Sequence, residues 1–475
     1  MKGHNFIDNN KEMKSILLIV VSLIALGNSR GTFGGGGAPT IHVIPHSHCD
    51  PGYRESFEDY WKYNVSFIID SVLDALIKDQ SRRFIWEDVE FLSIWWKQAS
   101  NENRNVIKEL HSAGQLEFTG GGWVMHDEAD PSLFGILNQM FQGLSFLRQT
   151  FGTRPSFEWH IDPFGHSLFM PELYSQLGYK AVVINRVPDK AKQSMRASKG
   201  LQFCWKYPSS KLSIFTHVLD THYEMPKELN GTNTASLVQE LVPILKQRLK
   251  WFKTNQLMFP FGGDYSFLDA GTQFATMDAI IDYINANSSV YNMTMRYSTL
   301  SEYFSALMTS AATYETRTDD FYPYVPCYPC GASQCRDLPC QPLNQSSAYW
   351  SGFYTSKPAQ KLLIRQHEAR LKSLEVLNAL NPSLTEQIMP SLELGRNTSA
   401  LLQHHDAITG TSFPPAFDDY NLRLNEAMMV NDNSIAHLKV IIVFTKMNYH
   451  KYFVVKIFLD SLAYAKIKCA KTYTH

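Results

Sequence analysis

The sequence predicts an α/β fold, in which a β/α domain built on a parallel sheet or barrel precedes a helical bundle. Two observations lead to this prediction. Strand-like and helix-like apolar patterns alternate from about residue 41 to residue 297, and repeated β/α units form parallel sheets or barrels. From about residue 358 the apolar spacing is helical in three long stretches without strand patterns between them, which is typical of a bundle. In parallel β/α folds, functional sites lie at the C-terminal ends of the strands.

The alternation can be followed along the chain. After a first strand that begins at Ile41, the predicted strands cover residues 83–87, 116–119, 157–161, 182–184, 257–261 and 293–297. The predicted helices cover residues 58–78, 91–110, 132–150, 235–252, 277–285, 358–380, 383–403 and 415–438. The apolar stretches 440–444 and 452–459 favour β structure, but no partner strands follow them.

These patterns divide the chain into six segments. They are a signal peptide or short anchor (1–29), a glycine-rich linker (30–39), the β/α domain (40–309), a cysteine-rich connector (310–357), the helical bundle (358–439) and an atypical tail (440–475). The 475 residues, 44% apolar and 19% charged, fit a globular protein of two or three domains. A net charge of −1 gives no indication of a nucleic-acid partner.

The N-terminus has the pattern of a secretory signal peptide. Lys11 and Lys14 precede an apolar run from Ile16 to Leu26, and small residues follow it. Roughly a dozen apolar residues suit a signal-peptide core, whereas a membrane span needs about 20. We therefore predict a signal peptide, with a short type II anchor as the alternative, and no stable membrane span unless that anchor is retained.

Asparagine sequons and clustered cysteines fit a protein of the secretory pathway. Sequons of the type Asn-x-Ser/Thr occur at Asn64, Asn230, Asn287, Asn292, Asn344 and Asn397. Four of the seven cysteines lie between Cys327 and Cys340, where an oxidising lumen favours two disulfides over a zinc knuckle. Their pairing stays open.

The segment from Ile41 to Tyr53 carries the first candidate site. His46, His48 and Asp50 fall at alternate positions where the first strand ends, so a strand would point all three to the same side. Two imidazoles and a carboxylate are costly to bury without a charge or a metal, and this donor set suits zinc. The alternative is a solvated turn with chance histidines.

Three further segments place polar residues just after predicted elements. Asp162 follows a strand in Ile-Asp-Pro-Phe-Gly-His-Ser, where capping of the next helix is the alternative role. Asp264 follows Gly-Gly after another strand, as an acid in an ordinary turn also would. His404, His405 and Asp406 lie between two predicted helices, where the alternative is a polar turn.

Taken together, these segments supply metal-binding residue types and two acids at strand ends. Paired carboxylates are the working groups of most glycosidases, because one attacks the sugar carbon while the other protonates the leaving oxygen. A retaining enzyme holds them about 5–5.5 Å apart. The nucleophile must stay ionised, which a nearby cation favours, and the acid needs a raised pKa.

The four motifs, in this order, resemble those of the class II α-mannosidases of glycoside hydrolase family 38, from about residue 40 to residue 431. The resemblance implies one zinc ion per chain, held by His48, Asp50, Asp162 and His405. It implies that Asp162 is the catalytic nucleophile and Asp264 the acid/base of a retaining mechanism. The implied substrate contacts are Tyr53, Phe164, Arg186, Tyr223 and Asp406. The implied fold is a seven-stranded β/α barrel-like domain, a three-helix bundle and C-terminal β-domains.

The sequence departs from the family in three places. Tyr53 stands where the family usually has tryptophan, and the cysteine-rich insert is atypical. Residues 440–475 do not resemble the family, and the β-domains are missing, so we expect a truncated chain. Motifs of both the lysosomal and the Golgi branch occur, and the signal-like N-terminus favours a lysosomal enzyme acting on mannose-containing glycans. The alternatives are a Golgi N-glycan processing enzyme, a non-catalytic mannose-binding remnant, and a metal-dependent amide or ester hydrolase.

Overall fold

The computed structural model describes residues 37–226, 231–326, 349–380 and 382–446. Several predicted features lie outside these residues: the signal peptide or anchor, most of the glycine-rich tract, the four clustered cysteines, the sequons at Asn230 and Asn344, and the chain after residue 446. Within the described part, every helix is too short or too polar to cross a bilayer.

The described residues form ten strands in two five-stranded sheets. The strands are β1 (Thr40–His48), β2 (Phe84–Trp86), β3 (Leu116–Phe118), β4 (Phe157–His160), β5 (Ala181–Ile184), β6 (Gln202–Trp205), β7 (Ile214–Val218), β8 (Gln256–Asp264), β9 (Thr294–Tyr297) and β10 (Thr316–Arg317). The first sheet has the order β3-β2-β1-β8, with β9 also paired to β1, and all its pairs are parallel. The second has the order β10-β6-β7-β5-β4, with one antiparallel pair, β6–β7. The α/β class with a parallel sheet is confirmed.

Strand β1 is the central strand of the first sheet. It is buried from Ile41 to its end and pairs with β8 over its whole length, so that His48 lies beside Asp264 in the register. This pairing needs glycine at position 262, because a Cβ there would lie 1.9 Å from the carbonyl oxygen of His46. The C-terminal ends of both strands therefore meet at one edge of the sheet.

The helices alternate with the strands as far as residue 308. They are α1 (Phe57–Tyr60), which continues through a π-helical turn (Trp61–Val65) into α2 (Ser66–Lys78), α3 (Val89–Gln98), α4 (Asn101–Ser112), α5 (Leu133–Phe151), α6 (Met170–Gln176), α7 (Asp189–Ser198), α8 (Thr234–Leu249), α9 (Ala270–Ala286), α10 (Ser288–Tyr291), α11 (Leu300–Met308), α12 (Pro358–Leu380), α13 (Thr385–Leu401) and α14 (Pro414–Lys446). Short 3₁₀ turns occur at Gly352–Tyr354 and Pro382–Leu384.

Two sequence-based expectations about helices were wrong. The single helix expected over residues 91–110 is two helices, because the Ser100 side chain accepts a hydrogen bond from the Asn103 amide and starts a new helix there. The β-prone residues 440–444 lie in α14. An established helix gains a further hydrogen bond with each added residue, and this outweighs the weak β preference of a short segment without a partner strand.

The three long C-terminal helices pack on one another through a shared apolar cluster. Leu371 and Leu374 of α12, Ile388 and Leu392 of α13, and Leu438 of α14 form its centre. The turn between α13 and α14 carries residues 402–413 and lies against the loop after β3, where the Asp127 amide donates to the Gln403 carbonyl over 2.9 Å. The helices thus hold the His-His-Asp motif against the strand ends.

Candidate metal centre and active site

Four side chains from three distant segments converge at the strand ends. Nε2 of His48 lies 2.9 Å from Oδ1 of Asp50 and 3.2 Å from Oδ2 of Asp162. Nε2 of His405 lies 3.1 Å from each of the same two oxygens. All four residues are buried, and their ligand atoms lie within 4.8 Å of one another. They are the four residues predicted to hold a metal.

The donor atoms of this group fit a divalent cation. His48 Nε2 and Asp50 Oδ1 are buried and lack a hydrogen-bond partner in the described residues, although they lie only 2.9 Å apart. The ring of His405 is oriented by a 2.7 Å contact between Nδ1 and the Met125 carbonyl oxygen. That contact keeps the proton on Nδ1 and leaves the Nε2 lone pair facing the two carboxylates. Two imidazoles and two carboxylates are donors that would hold Zn²⁺.

The four side chains also create an environment that favours positive charge. Burial alone would lower the pKa of His48, but the neighbouring Asp50 and Asp162 outweigh it and hold that pKa well above the ordinary value. His405 behaves in the same way for the same reason. A cation bound between the four side chains would satisfy this demand without protonating the imidazoles.

The two carboxylate oxygens of Asp162 have different partners. Oδ2 faces the imidazoles, while Oδ1 accepts hydrogen bonds from Nε of Arg186, over 2.7 Å, and from Nη2 of the same residue. Burial raises the pKa of Asp162, but Arg186 and the two imidazoles outweigh it and hold the pKa well below the ordinary value. Asp162 is therefore an ionised carboxylate at neutral pH, and it does not cap a helix.

Asp264 has the opposite electrostatic character. Its side chain opens to the cavity, and its Oδ1 accepts a 3.0 Å hydrogen bond from the hydroxyl of Tyr223. Desolvation, with the negative charges of Asp50 and Asp162, raises its pKa to about 6, although His48 and Tyr223 oppose the rise. One acid of the site is thus held ionised while the other keeps a proton in mildly acidic solution.

A cavity of about 390 Å³ joins these groups. Its lining includes eight of the ten predicted site residues, all except the imidazoles His48 and His405: Asp50, Tyr53, Asp162, Phe164, Arg186, Tyr223, Asp264 and Asp406. Within the described residues the sequence analysis missed three further lining residues, Trp350, Phe353 and Thr411.

The three residues that the sequence analysis missed contact two of the predicted site residues, Phe164 and Asp406. Trp350 and Phe353 pack edge-on against Phe164, with ring centroids 5.2 and 5.4 Å away. The hydroxyl of Thr411 donates a hydrogen bond to Oδ1 of Asp406. The aromatic pattern Trp-Ser-Gly-Phe after the cysteine-rich segment was the available sequence indication for the first two.

Comparison with known proteins gives consistent matches. Residues 38–326 match the glycosyl hydrolases family 38 N-terminal domain, and residues 348–438 match the alpha mannosidase middle domain. Alpha-mannosidase B of Dictyostelium discoideum is 34% identical over 439 residues, which cover 82% of this chain and 41% of that protein. The lysosomal alpha-mannosidase of the same organism is 29% identical over 415 residues, covering 81% and 39%.

Solved structures agree on the fold. An alpha-mannosidase from Enterococcus faecalis V583 superposes with a TM-score of 0.64 at 16% identity, over 84% of this chain and 42% of that one. At this identity the likeness concerns the fold alone. The chain spans about two-fifths of the length of the curated relatives that it matches.

Proposed function

The chain belongs to glycosyl hydrolase family 38, and from this premise we propose that it is a zinc-dependent retaining α-mannosidase that removes terminal α-linked mannose from N-glycans or oligosaccharides. The observation that carries the proposal is the contrast between two acids of one cavity. Asp162 is held ionised by Arg186, and Asp264 has a pKa raised to about 6. A nucleophile and a general acid require this pair of states.

In the first step, Asp162 attacks the anomeric carbon of the mannose. The glycosidic carbon–oxygen bond breaks, and the leaving oxygen takes the proton of Asp264. The products are a mannosyl ester of Asp162, an ionised Asp264 and the released aglycone. Two inversions at the anomeric carbon give net retention, because the second step reverses the geometry of the first.

In the second step, Asp264 acts as a base. It takes a proton from a water molecule, whose oxygen attacks the anomeric carbon and releases Asp162 as a carboxylate. Asp264 regains its proton and the enzyme returns to its starting state. The raised pKa of Asp264 supports both roles, because such a group exchanges a proton readily near its working pH.

Zinc held by His48, Asp50, Asp162 and His405 would supply orientation and charge stabilisation at the sugar. The chain's own residues supply the remaining recognition. We propose that Asp406, whose Oδ1 accepts a hydrogen bond from the Thr411 hydroxyl, also accepts one from a sugar hydroxyl. Tyr53, Phe164 and Tyr223 line the cavity as aromatic surfaces on which a sugar ring can pack.

We propose a lysosomal enzyme with the domain boundaries given above, in which residues 40–309 form a seven-stranded β/α catalytic domain and residues 358–439 a three-helix bundle. Two observations support the location. The N-terminus has a signal-like apolar run, and one relative is a lysosomal alpha-mannosidase. Parallel pairing within residues 40–309 of the described part joins β1 to β5 and β7 to β9, which supports a parallel β/α domain, while the count of seven rests on the family resemblance.

The proposed activity can be tested on the recombinant chain with an aryl α-mannoside. We expect turnover that a zinc chelator abolishes and added Zn²⁺ restores, with no turnover of the matched aryl β-mannoside. Mannose binding without turnover would instead indicate a binding remnant. Turnover of amide or ester substrates but not of the mannoside would contradict the proposal.

A further inference from the structure

A second group of metal-binding side chains lies outside the cavity. Glu87, Glu158 and His160 place one ligand atom each within 4.8 Å of the others. Glu158 and His160 are buried and Glu87 is 9% exposed. None of the three lines the cavity described above, and none is a ligand of the first metal group. The proposed reaction makes no use of them.

The ends of strands from the two sheets bring the three residues together. Glu158 and His160 alternate along β4, so they share the face opposite to Trp159, and Glu87 directly follows β2. Gly120, after β3, lies between them, and its amide donates to the Phe157 carbonyl over 2.9 Å. A Cβ at position 120 would lie 3.1 Å from Oε1 of Glu158 and 3.3 Å from Oε1 of Glu87, so glycine leaves room for both carboxylates.

The charge of this group is not balanced by basic side chains. Among the described residues, neither Glu87 nor Glu158 forms an ion pair with lysine or arginine, and the only cationic partner of Glu158 would be a protonated His160, 3.5 Å away at Nδ1. Both ring nitrogens of His160 and Oε2 of Glu158 are buried without a hydrogen-bond partner. Unpartnered polar atoms at this depth are costly, which indicates a missing ligand.

A further acid lies behind His160. Its Nε2 is 3.4 Å from Oε1 of Glu128, which is itself fixed by His166 Nδ1 over 2.8 Å and by the Ser167 amide over 2.6 Å. A carboxylate behind an imidazole is the usual way in which proteins orient a metal-binding histidine. The other ring nitrogen, Nδ1, faces Oε1 of Glu158 across 3.5 Å.

We propose that Glu87, Glu158 and His160 bind a second divalent cation of the Zn²⁺ or Mn²⁺ class, separate from the metal of the active site. One imidazole and two carboxylates are donors that these ions accept, and a dication would neutralise both buried carboxylates. The alternative occupant is a proton shared between the two carboxylates, which would leave the site without metal.

The test counts metal ions. The full chain is stripped with a chelator, loaded with Zn²⁺ alone, freed of loose metal and measured by elemental mass spectrometry. We expect two equivalents for the wild type, one for Glu158→Gln and one for Asp50→Asn, which removes a ligand of the first group. Glu90→Gln alters a buried acid outside both groups and serves as the matched control, with two equivalents expected.

Glu87→Gln repeats the test at the less buried ligand, in case Glu158→Gln does not fold, and it should also lose one equivalent. Two results would overturn the proposal. In the first, the wild type binds one equivalent of Zn²⁺ and both Glu158→Gln and Glu87→Gln still bind one. In the second, the wild type binds two equivalents and both variants still bind two. One equivalent that survives Asp50→Asn but is lost in Glu87→Gln would support the second site while contradicting the first. The count therefore separates failure of this site from failure of the active-site metal.

Discussion

Arg186 binds one oxygen of Asp162 through two nitrogens and leaves the other oxygen to face His48 and His405. The nucleophile of the proposed reaction is thereby fixed in orientation as well as ionised. The Arg186 guanidinium also lies over the rings of Phe164, Tyr324 and Trp350, at 5.2 to 5.7 Å from their centroids. These contacts make Arg186 a rigid support for Asp162.

Replacing this support should impair the nucleophile. In Arg186→Gln the charge that lowers the pKa of Asp162 is lost, so that pKa rises and the acid limb of the pH profile moves to higher pH. We expect kcat/KM to fall by roughly a hundredfold, the scale for losing one preorganised charged contact. The exposed Arg148→Gln is the matched control and should leave the profile unchanged. An unshifted acid limb in Arg186→Gln would argue against this role.

Asp264 should matter most for substrates with poor leaving groups. In Asp264→Asn no proton is available for the leaving oxygen, and we expect kcat on an unactivated mannoside to fall by about 10²–10⁴-fold. A dinitrophenyl mannoside needs little proton assistance, so its bond cleavage should be affected far less. Equal losses on both substrates would show that Asp264 is not the general acid.

The pH profile should report the environment of Asp264. The wild type requires this residue protonated, so kcat/KM should decline as the pH rises through about 6. The hydroxyl of Tyr223 stabilises the ionised form and lowers the pKa, so Tyr223→Phe should raise the pKa and move the basic limb to higher pH. The profile is measured at substrate concentrations far below KM. A basic limb that stays in place or moves down would contradict the assignment.

A buried ion pair near the second sheet should contribute strongly to stability. Arg248 of α8 donates from Nε and Nη2 to the two carboxylate oxygens of Asp220, each over 2.6 Å, and both side chains are almost fully buried. Asp220→Asn leaves the guanidinium with an uncharged partner, and the free energy of unfolding should fall by about 3 kcal/mol.

The matched control for this change is Asp319→Asn, which removes the acid of a partly exposed pair with Arg317 and should cost less than about 1 kcal/mol. Urea unfolding followed by circular dichroism measures both variants. Equal effects for the two would mean that burial of the Asp220 pair does not govern its contribution.

The sequence predicted the strand-end residues because local rules sufficed for them. Alternation along the first strand predicted one side for His46, His48 and Asp50, of which the last two join the metal group while Nε2 of His46 contacts the Tyr223 carbonyl oxygen over 2.8 Å. Apolar runs ending at acids located Asp162 and Asp264. The convergence of those segments with His405 followed from family resemblance and was not derivable from spacing. Sequence spacing does not determine how close two segments lie in space when they are far apart in the chain.

Other features depended on tertiary contacts that no local pattern carries. The antiparallel pair β6–β7 went unpredicted because its strands are short and joined by a polar segment. Trp350 reaches the cavity through tertiary packing against Phe164, Tyr324 and Arg186. The sequence pattern of Glu158 and His160 is that of ordinary strand residues, and only the folded structure places Glu87, which follows a strand of the other sheet, beside them.

Trapping the covalent bond between Asp162 and mannose is the most direct test of Asp162 as the nucleophile. The chain is incubated with a fluorinated mannosyl fluoride, which slows the second step, and is then digested for peptide mass spectrometry. We predict one fluoromannosyl adduct on the peptide that contains Asp162, and none in Asp162→Asn. An adduct on another residue, or turnover of mannosides with inversion and no adduct, would contradict the account.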